Sequence, residues 1–133
     1  MFLLLSLCME VSFIIPTLNE EKLIEQCLRS IKGQKTKLKY EIIVSDGNSK
    51  DNTRKIAKKY AKVVICKQKG IPHARNYGAS FAKGKLFVFI DADVILPSDY
   101  IEKIWKRFEE KKRTYCFISK NILHREIFVY YIY

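Results

Sequence analysis

Four short runs rich in β-branched and aromatic residues, Val11–Ile15, Glu41–Ser45, Lys62–Cys66 and Leu86–Ile90, alternate with segments of helical periodicity. Leu23, Ile24, Cys27, Leu28 and Ile31 form the first helical stripe. Ile56, Ala57 and Tyr60 form the second, Ala74, Gly78, Phe81 and Ala82 the third, and Ile101, Ile104, Trp105 and Phe108 the fourth. Thr114–Ser119 reads as a fifth strand, and beyond Lys120 the pattern gives no assignment. Strands alternating with helices over short connections predict an α/β fold, a mostly parallel sheet with helices on both faces. Pro16 is expected to stop the first strand, and Asn19 to cap the next helix, with Glu20 and Glu21 suiting its positive end. Gly70 and Pro72 should open the third helix and Gly84 end it.

Ligands of parallel sheets sit outside the carboxyl ends of the strands. Three polar clusters, Pro16–Glu20, Asp46–Thr53 and Asp91–Asp93, each follow a strand. They are therefore expected to converge on one rim. The run Phe87–Val94 climbs through apolar residues to two carboxylates separated by the small Ala92. If extended geometry continues, Asp91 and Asp93 lie on one side, a hard-oxygen pair suited to Mg²⁺ or Mn²⁺ with positions left for a phosphate. Asp46 is placed to accept hydrogen bonds from a base or ribose, or else to cap the following turn. Arg75 either faces a diphosphate or is a surface charge, and Asn76 and Gly78 read as helix packing. The sequence lacks Gly-x-x-x-x-Gly-Lys-Ser/Thr, Gly-x-Gly-x-x-Gly after the first strand, and Gly-x-Ser-x-Gly. Those absences argue against a P-loop NTPase, a nicotinamide Rossmann site and a nucleophile elbow.

The net charge of +11 calls for an anionic partner or a solvated basic surface. The basic residues cluster in 32–39, 54–62 and 103–113, and the aromatic residues within them, Tyr60, Trp105 and Phe108, belong to the apolar helix stripes and not to a nucleic-acid stacking platform. Cysteines stand at 8, 27, 66 and 116, with neither Cys-x-x-Cys nor zinc spacing, which fits a reducing cytoplasm. Residues 1–8 are apolar but too short to span a bilayer, which takes about 20 residues. They are read as an extension outside a single domain covering 9–133.

The motifs together resemble family 2 glycosyltransferases. Val11 to Glu21 resembles their opening motif, Glu41 to Thr53 the second, Gly70 to Gly78 the third, and Phe87 to Asp93 the metal-binding Asp-x-Asp, in the family's order. The resemblance implies a GT-A, Rossmann-like fold and a nucleotide-diphospho-sugar donor, UDP- or GDP-linked. It implies that Pro16, Thr17, Leu18 and Glu20 line the nucleotide pocket, and that Val44 and Asp46 hold base and ribose. Arg75 is expected near the diphosphate, Asp91 and Ala92 on the sugar nucleotide, and Asp93, with Asp91, on Mg²⁺ or Mn²⁺. Leu18 stands where an aromatic residue is common, and Gly47 replaces the second aspartate of the usual pair.

The chain looks truncated after Asp-x-Asp, the donor half of a transferase. Among later carboxylates, Asp99, Glu102, Glu109 and Glu110 read as surface charges of a helix, and Glu126 follows them. The catalytic base is thus unassigned. A donor-binding module without turnover is the competing expectation, and a basic nucleic-acid-binding domain the third. The acceptor stays open, with lipid-linked phosphates among the candidates. The basic surface is compatible with a position on the cytoplasmic face of the membrane, and the apolar edge left by a missing half suggests a homo-oligomer.

Overall fold

The computed structural model describes residues 8–111, 117–119 and 127–131. Strands β1 (Val11–Thr17), β2 (Tyr40–Asp46), β3 (Lys62–Ile65) and β4 (Leu86–Phe89) alternate with helices α1 (Ile24–Lys32), α2 (Thr53–Ala57), α3 (Ile71–Ala79) and α4 (Tyr100–Lys111). β5 (Phe117–Ser119) and β6 (Ile127–Tyr131) follow. The sheet order is β3-β2-β1-β4-β6-β5. β3, β2, β1 and β4 run parallel, as the alternation predicts, whereas β6 is antiparallel to both β4 and β5.

Of the strand expected at Thr114–Ser119, the described part, Phe117–Ser119, lies at the sheet's edge. β6 occupies the place beside β4, its Val129 opposite Val88. Thr114 to Cys116 lie outside the described residues.

Alternation along the strands divides the core. Val11, Phe13 and Ile15, with Ile42, Val44, Leu86, Val88 and Ile90, face Ile24, Leu28 and Ile31 of α1 and Ile101 and Ile104 of α4. The opposite face carries Ile14, Phe87 and Phe89, packed against Ala79 and Ala82. Helices thus cover both faces. α3 approaches this second face closely, because a Cβ on Gly78 would stand 2.8 Å from Ile14 Cγ2 and 3.0 Å from Ser45 Cβ. That packing role is the one the sequence suggests for Gly78.

Two expected boundaries move. β1 continues through Pro16 to Thr17, paired with Asp46. Backbone groups of even-numbered β1 residues face β4, since Leu86 N–H donates to Glu10 O and Ile90 N–H to Ile14 O. β4 leaves the ladder after that bond, so the N–H that Pro16 lacks has no partner to satisfy there. α3 ends at Ala79 and not at Gly84. Gly84 instead enters β4, its N–H donating to Ser12 Oγ at 2.8 Å. Among the described residues, no helix is long and apolar enough to cross a membrane.

Candidate functional site

The parallel pairing of β2, β1 and β4 puts their carboxyl ends along one edge, so the three polar clusters do share a rim. Its left part is a lip made of two loops laced together. Gly47 N–H donates to Thr17 O at 2.8 Å. Asn19 N–H donates to Ser49 Oγ at 2.9 Å, and Lys50 N–H returns a bond to Asn19 Oδ1 at 2.8 Å. Glu20 N–H donates to Thr53 Oγ1 at 2.8 Å, and Glu21 N–H to Asp51 Oδ2 at 3.2 Å. Asn52 N–H donates to Glu21 Oε2 at 2.9 Å. Each such bond contributes about 1 kcal/mol net, so several in concert hold two otherwise independent loops in one shape.

Asn19 therefore does not cap α1, as its position suggested. The helix starts at Ile24 behind Leu23, without a side-chain cap, and Asn19 adopts φ 53° to reach the second loop. Asn48 takes a similar left-handed conformation, φ 68°. Asn visits that region more readily than other residues with a Cβ. Glu21 likewise serves the lip and not the helix end.

Asp46 is the keystone of the lip. It is 0% exposed. Oδ1 accepts from Thr17 Oγ1 at 2.9 Å and from the Ser49 hydroxyl, and Oδ2 accepts from Ser49 N–H at 2.8 Å. Arg54 Nε stands 3.7 Å from Oδ2 and balances the buried charge. Asp51 is a second bracket. Desolvation opposes its ionised form, but hydrogen bonds from Thr53 Oγ1, Thr53 N–H and Glu21 N–H outweigh this and hold its carboxyl below the usual range. Neither Ser49, Asp51 nor Thr53 was singled out from sequence. The Asp-x-Thr spacing ahead of a helix was the available signal.

Of the residues expected to line a pocket, Leu18 is the exposed one, at 57%, with its side chain against Gly47. Pro16 and Thr17 are buried in the end of β1, and Glu20 is partly buried in the lip. Val44 is completely buried in the core below the rim.

The right part of the rim is the Asp-x-Asp turn. Extended geometry does not continue there. β4 stops at Phe89, and Val94 N–H donates to Asp91 O at 3.1 Å, closing a turn. Ala92 is buried, while Asp91 and Asp93 are partly exposed. The Cys27 thiol of α1 lies under this turn, donating to Asp91 O at 3.7 Å. Burial, and then the negative charges of Asp93 and Asp91, push that thiol up to about 12. Arg75 reaches across from α3, Nη2 3.1 Å from Asp91 Oδ1. It is one of the sequence-derived site residues that the structure brings into direct contact with another.

Among the described residues, no third acidic, His or Cys ligand joins the pair. Two carboxylates, with the remaining positions filled by phosphate oxygens and water, make the donor set by which Mg²⁺ and similar ions are held in nucleotide sites. The residues fit such an ion.

The strand order places the two parts side by side. β1 connects outward to β2 and β3, and the chain then returns past β1 to form β4. The reversal between β1 and β4 is where ligand crevices open in such sheets.

Comparison with known proteins gives the family and the fold. The family profile described as Glycosyl transferase family 2 matches residues 12–125. A dolichol-phosphate mannosyltransferase of Pyrococcus furiosus is 38% identical over 102 residues, covering 72% of this chain and 29% of the relative. The crystal structure of S. aureus TarS residues 1–349 with UDP superposes with a TM-score of 0.71 at 29% identity, covering 78% of this chain and 33% of that one. Glucosyl-3-phosphoglycerate synthase from Mycobacterium tuberculosis, in complex with Mn²⁺, UDP and glucosyl-3-phosphoglycerate, gives a TM-score of 0.58 at 33% identity, covering 72% of this chain and 37% of that one. The chain thus spans about a third of the length of these proteins.

Proposed function

The chain belongs to glycosyl transferase family 2, and from that premise we propose that its rim binds a nucleotide-diphospho-sugar through a divalent cation and serves as the donor site for sugar transfer. The observation that carries the reading is the Arg75–Asp91 ion pair at the end of β4, with the laced lip following the neighbouring β1 where strand order reverses. The donor would lie across that crevice. Its base would rest on Leu18, and its diphosphate would lie towards Arg75 and the two carboxylates. Asp93 and Asp91 would hold Mg²⁺ or Mn²⁺, which supplies neutralisation of the charge gathering on a departing nucleoside diphosphate. Arg75 adds a fixed positive charge on the same side. The lip, fixed by its own hydrogen bonds, presents the base-binding surface without loss of loop entropy on binding. The similar glucosyl-3-phosphoglycerate synthase, which carries UDP with Mn²⁺, supports the choice of ligand.

A second reading, donor binding without transfer, is favoured by a separate observation. Asp99 and Glu102 open α4 at the far end of α1: Asp99 pairs with Lys103 at 2.7 Å, and Glu102 accepts the Thr36 hydroxyl. Gln34 binds this helix start through Pro97 O and Ile101 N–H. These two carboxylates are thereby held away from the rim, in a position from which neither would activate an acceptor hydroxyl.

Titration calorimetry with UDP and with GDP, each with and without Mn²⁺, tests the donor site. Metal-dependent heat with at least one nucleotide, abolished by Asp93→Ala, is the expected result. No heat with either nucleotide in the presence of Mn²⁺ refutes it. Turnover of a bound UDP-sugar to UDP separates the transferase from the binding module.

A further inference from the structure

The acceptor groups of Asp46, Asp51 and Asn19, with Glu21 Oε2, are spent within the lip, and this bears on how a base is read. Recognition of the uracil N3–H or the guanine N1–H needs an acceptor aimed into the pocket. Asp46, the acid that the family resemblance would assign to this task, is 0% exposed, and both its oxygens accept from Thr17 and Ser49. Asp51 Oδ1 accepts from Thr53 N–H and Oγ1, and its Oδ2 from Glu21 N–H. Glu21 Oε2 and Asn19 Oδ1 accept from Asn52 N–H and Lys50 N–H. Gly47, which follows Asp46, has no side chain, and a Cβ there would meet Leu18 Cδ1 at 3.7 Å. The large apolar side chain exposed beside Gly47 is that of Leu18, 57% exposed.

We infer that Asp46 is a positioning residue that locks the lip, and that the base is held by the apolar surface of Leu18 over Gly47 without polar reading of its Watson–Crick edge. The inference rests on the donor-site reading and specifies its ligand chemistry: affinity comes from the diphosphate and metal, and base identity is weakly discriminated. An apolar contact accepts any base face, whereas a site built to hydrogen-bond an N–H rejects a ligand lacking it by about 10⁴-fold or more.

UDP and CDP provide the test, because they share size and shape but exchange donors and acceptors along the base edge. Calorimetry on the full chain with Mn²⁺ is expected to give dissociation constants within about tenfold of each other. Asp46→Asn is expected to lower the unfolding midpoint while leaving the UDP/CDP ratio unchanged. UDP binding more than about tenfold tighter than CDP overturns the inference and leaves the donor site standing. A ratio that changes in Asp46→Asn also overturns it. Absence of binding by both nucleotides overturns the donor reading itself, and the inference with it. The wild-type comparison decides the matter even if the variant does not fold.

Discussion

Gly78→Ala tests how tightly α3 must sit on the sheet to carry Arg75 to Asp91. The added methyl would stand 2.8 Å from Ile14 Cγ2 and 3.0 Å from Ser45 Cβ, where ordinary contact begins at 3.4 Å. The larger deficit, 3.4 − 2.8, requires a separation of about 0.6 Å. Neither neighbour yields easily. Ile14 is completely buried in a central strand and stiff at χ1, and Ser45 Cβ is fixed to its own backbone. α3 must therefore lift. Overpacking of this kind costs about 1–3 kcal/mol, and the better helix propensity of Ala returns up to about 1. The expected net loss is about 1–2 kcal/mol, read as a lower urea midpoint at unchanged slope by far-UV circular dichroism. Because Arg75 lies one turn before Gly78, the same lift draws the guanidinium away from Asp91 and weakens Mn²⁺-dependent nucleotide binding. A variant as stable as the parent, with undiminished binding, would refute the close-packing argument.

Arg75→Ala separates binding from stability. The pair with Asp91 is part-exposed, 26% and 34%, so its contribution to folding is below about 1 kcal/mol, while UDP affinity in Mn²⁺ should fall about tenfold or more. Equal losses in both, measured by calorimetry and urea unfolding, would make Arg75 a structural residue. Asp51 governs part of the acid response. Its depressed carboxyl contributes stability that is fully present above the ordinary value of 3.8 and disappears as pH falls through the lower folded value. Asp51→Asn should therefore flatten the decline of the melting temperature between about pH 5 and about pH 2, and superimposable acid limbs would contradict the bracket role.

The strand–helix alternation was legible because each element declares itself locally. Phe13 and Ile15 differ from Ser12 in polarity, and the α1 stripe of Ile24, Leu28 and Ile31 keeps helical spacing. Asp91 was conspicuous as a charge at the end of an apolar run, whereas Arg75 was set apart from the surface charges only through the family resemblance, and its ion pair with Asp91 was not contained in local pattern. What local patterning does not contain is pairing over long separations. Asn19 looked like a helix cap because capping is a local role, yet its partners Ser49 and Lys50 lie about thirty residues away. Cys27 read as one more apolar residue, since nothing in its spacing shows the Asp-x-Asp turn 64 residues further on. The place of β5 was hidden for a similar reason. Which strand takes the slot beside β4 depends on β6, whose sequence carries no clear period.

Strand order is the remaining piece, and handedness supplies it. Right-handed crossovers from β1 to β2 and from β2 to β3 move one way across the sheet and lay their helices on one face. The move from β3 to β4 runs the other way, so the same handedness sends its helix to the opposite face. The two cores obey this rule: Ala57 of α2 packs with the α1 cluster, while Ala79 of α3 packs against Ile14 and Phe89. A reversal of direction with a change of face leaves no crossover helix bridging the gap between the ends of β1 and β4. Leu18 follows β1 at this edge, its side chain against Gly47, and the Asp91–Asp93 turn follows the neighbouring β4. In the proposed donor site the winding of the chain thus sets the base surface of Leu18 and the Asp91–Asp93 turn on neighbouring strands, as a ligand with a base at one end and an anionic, metal-binding group at the other would require.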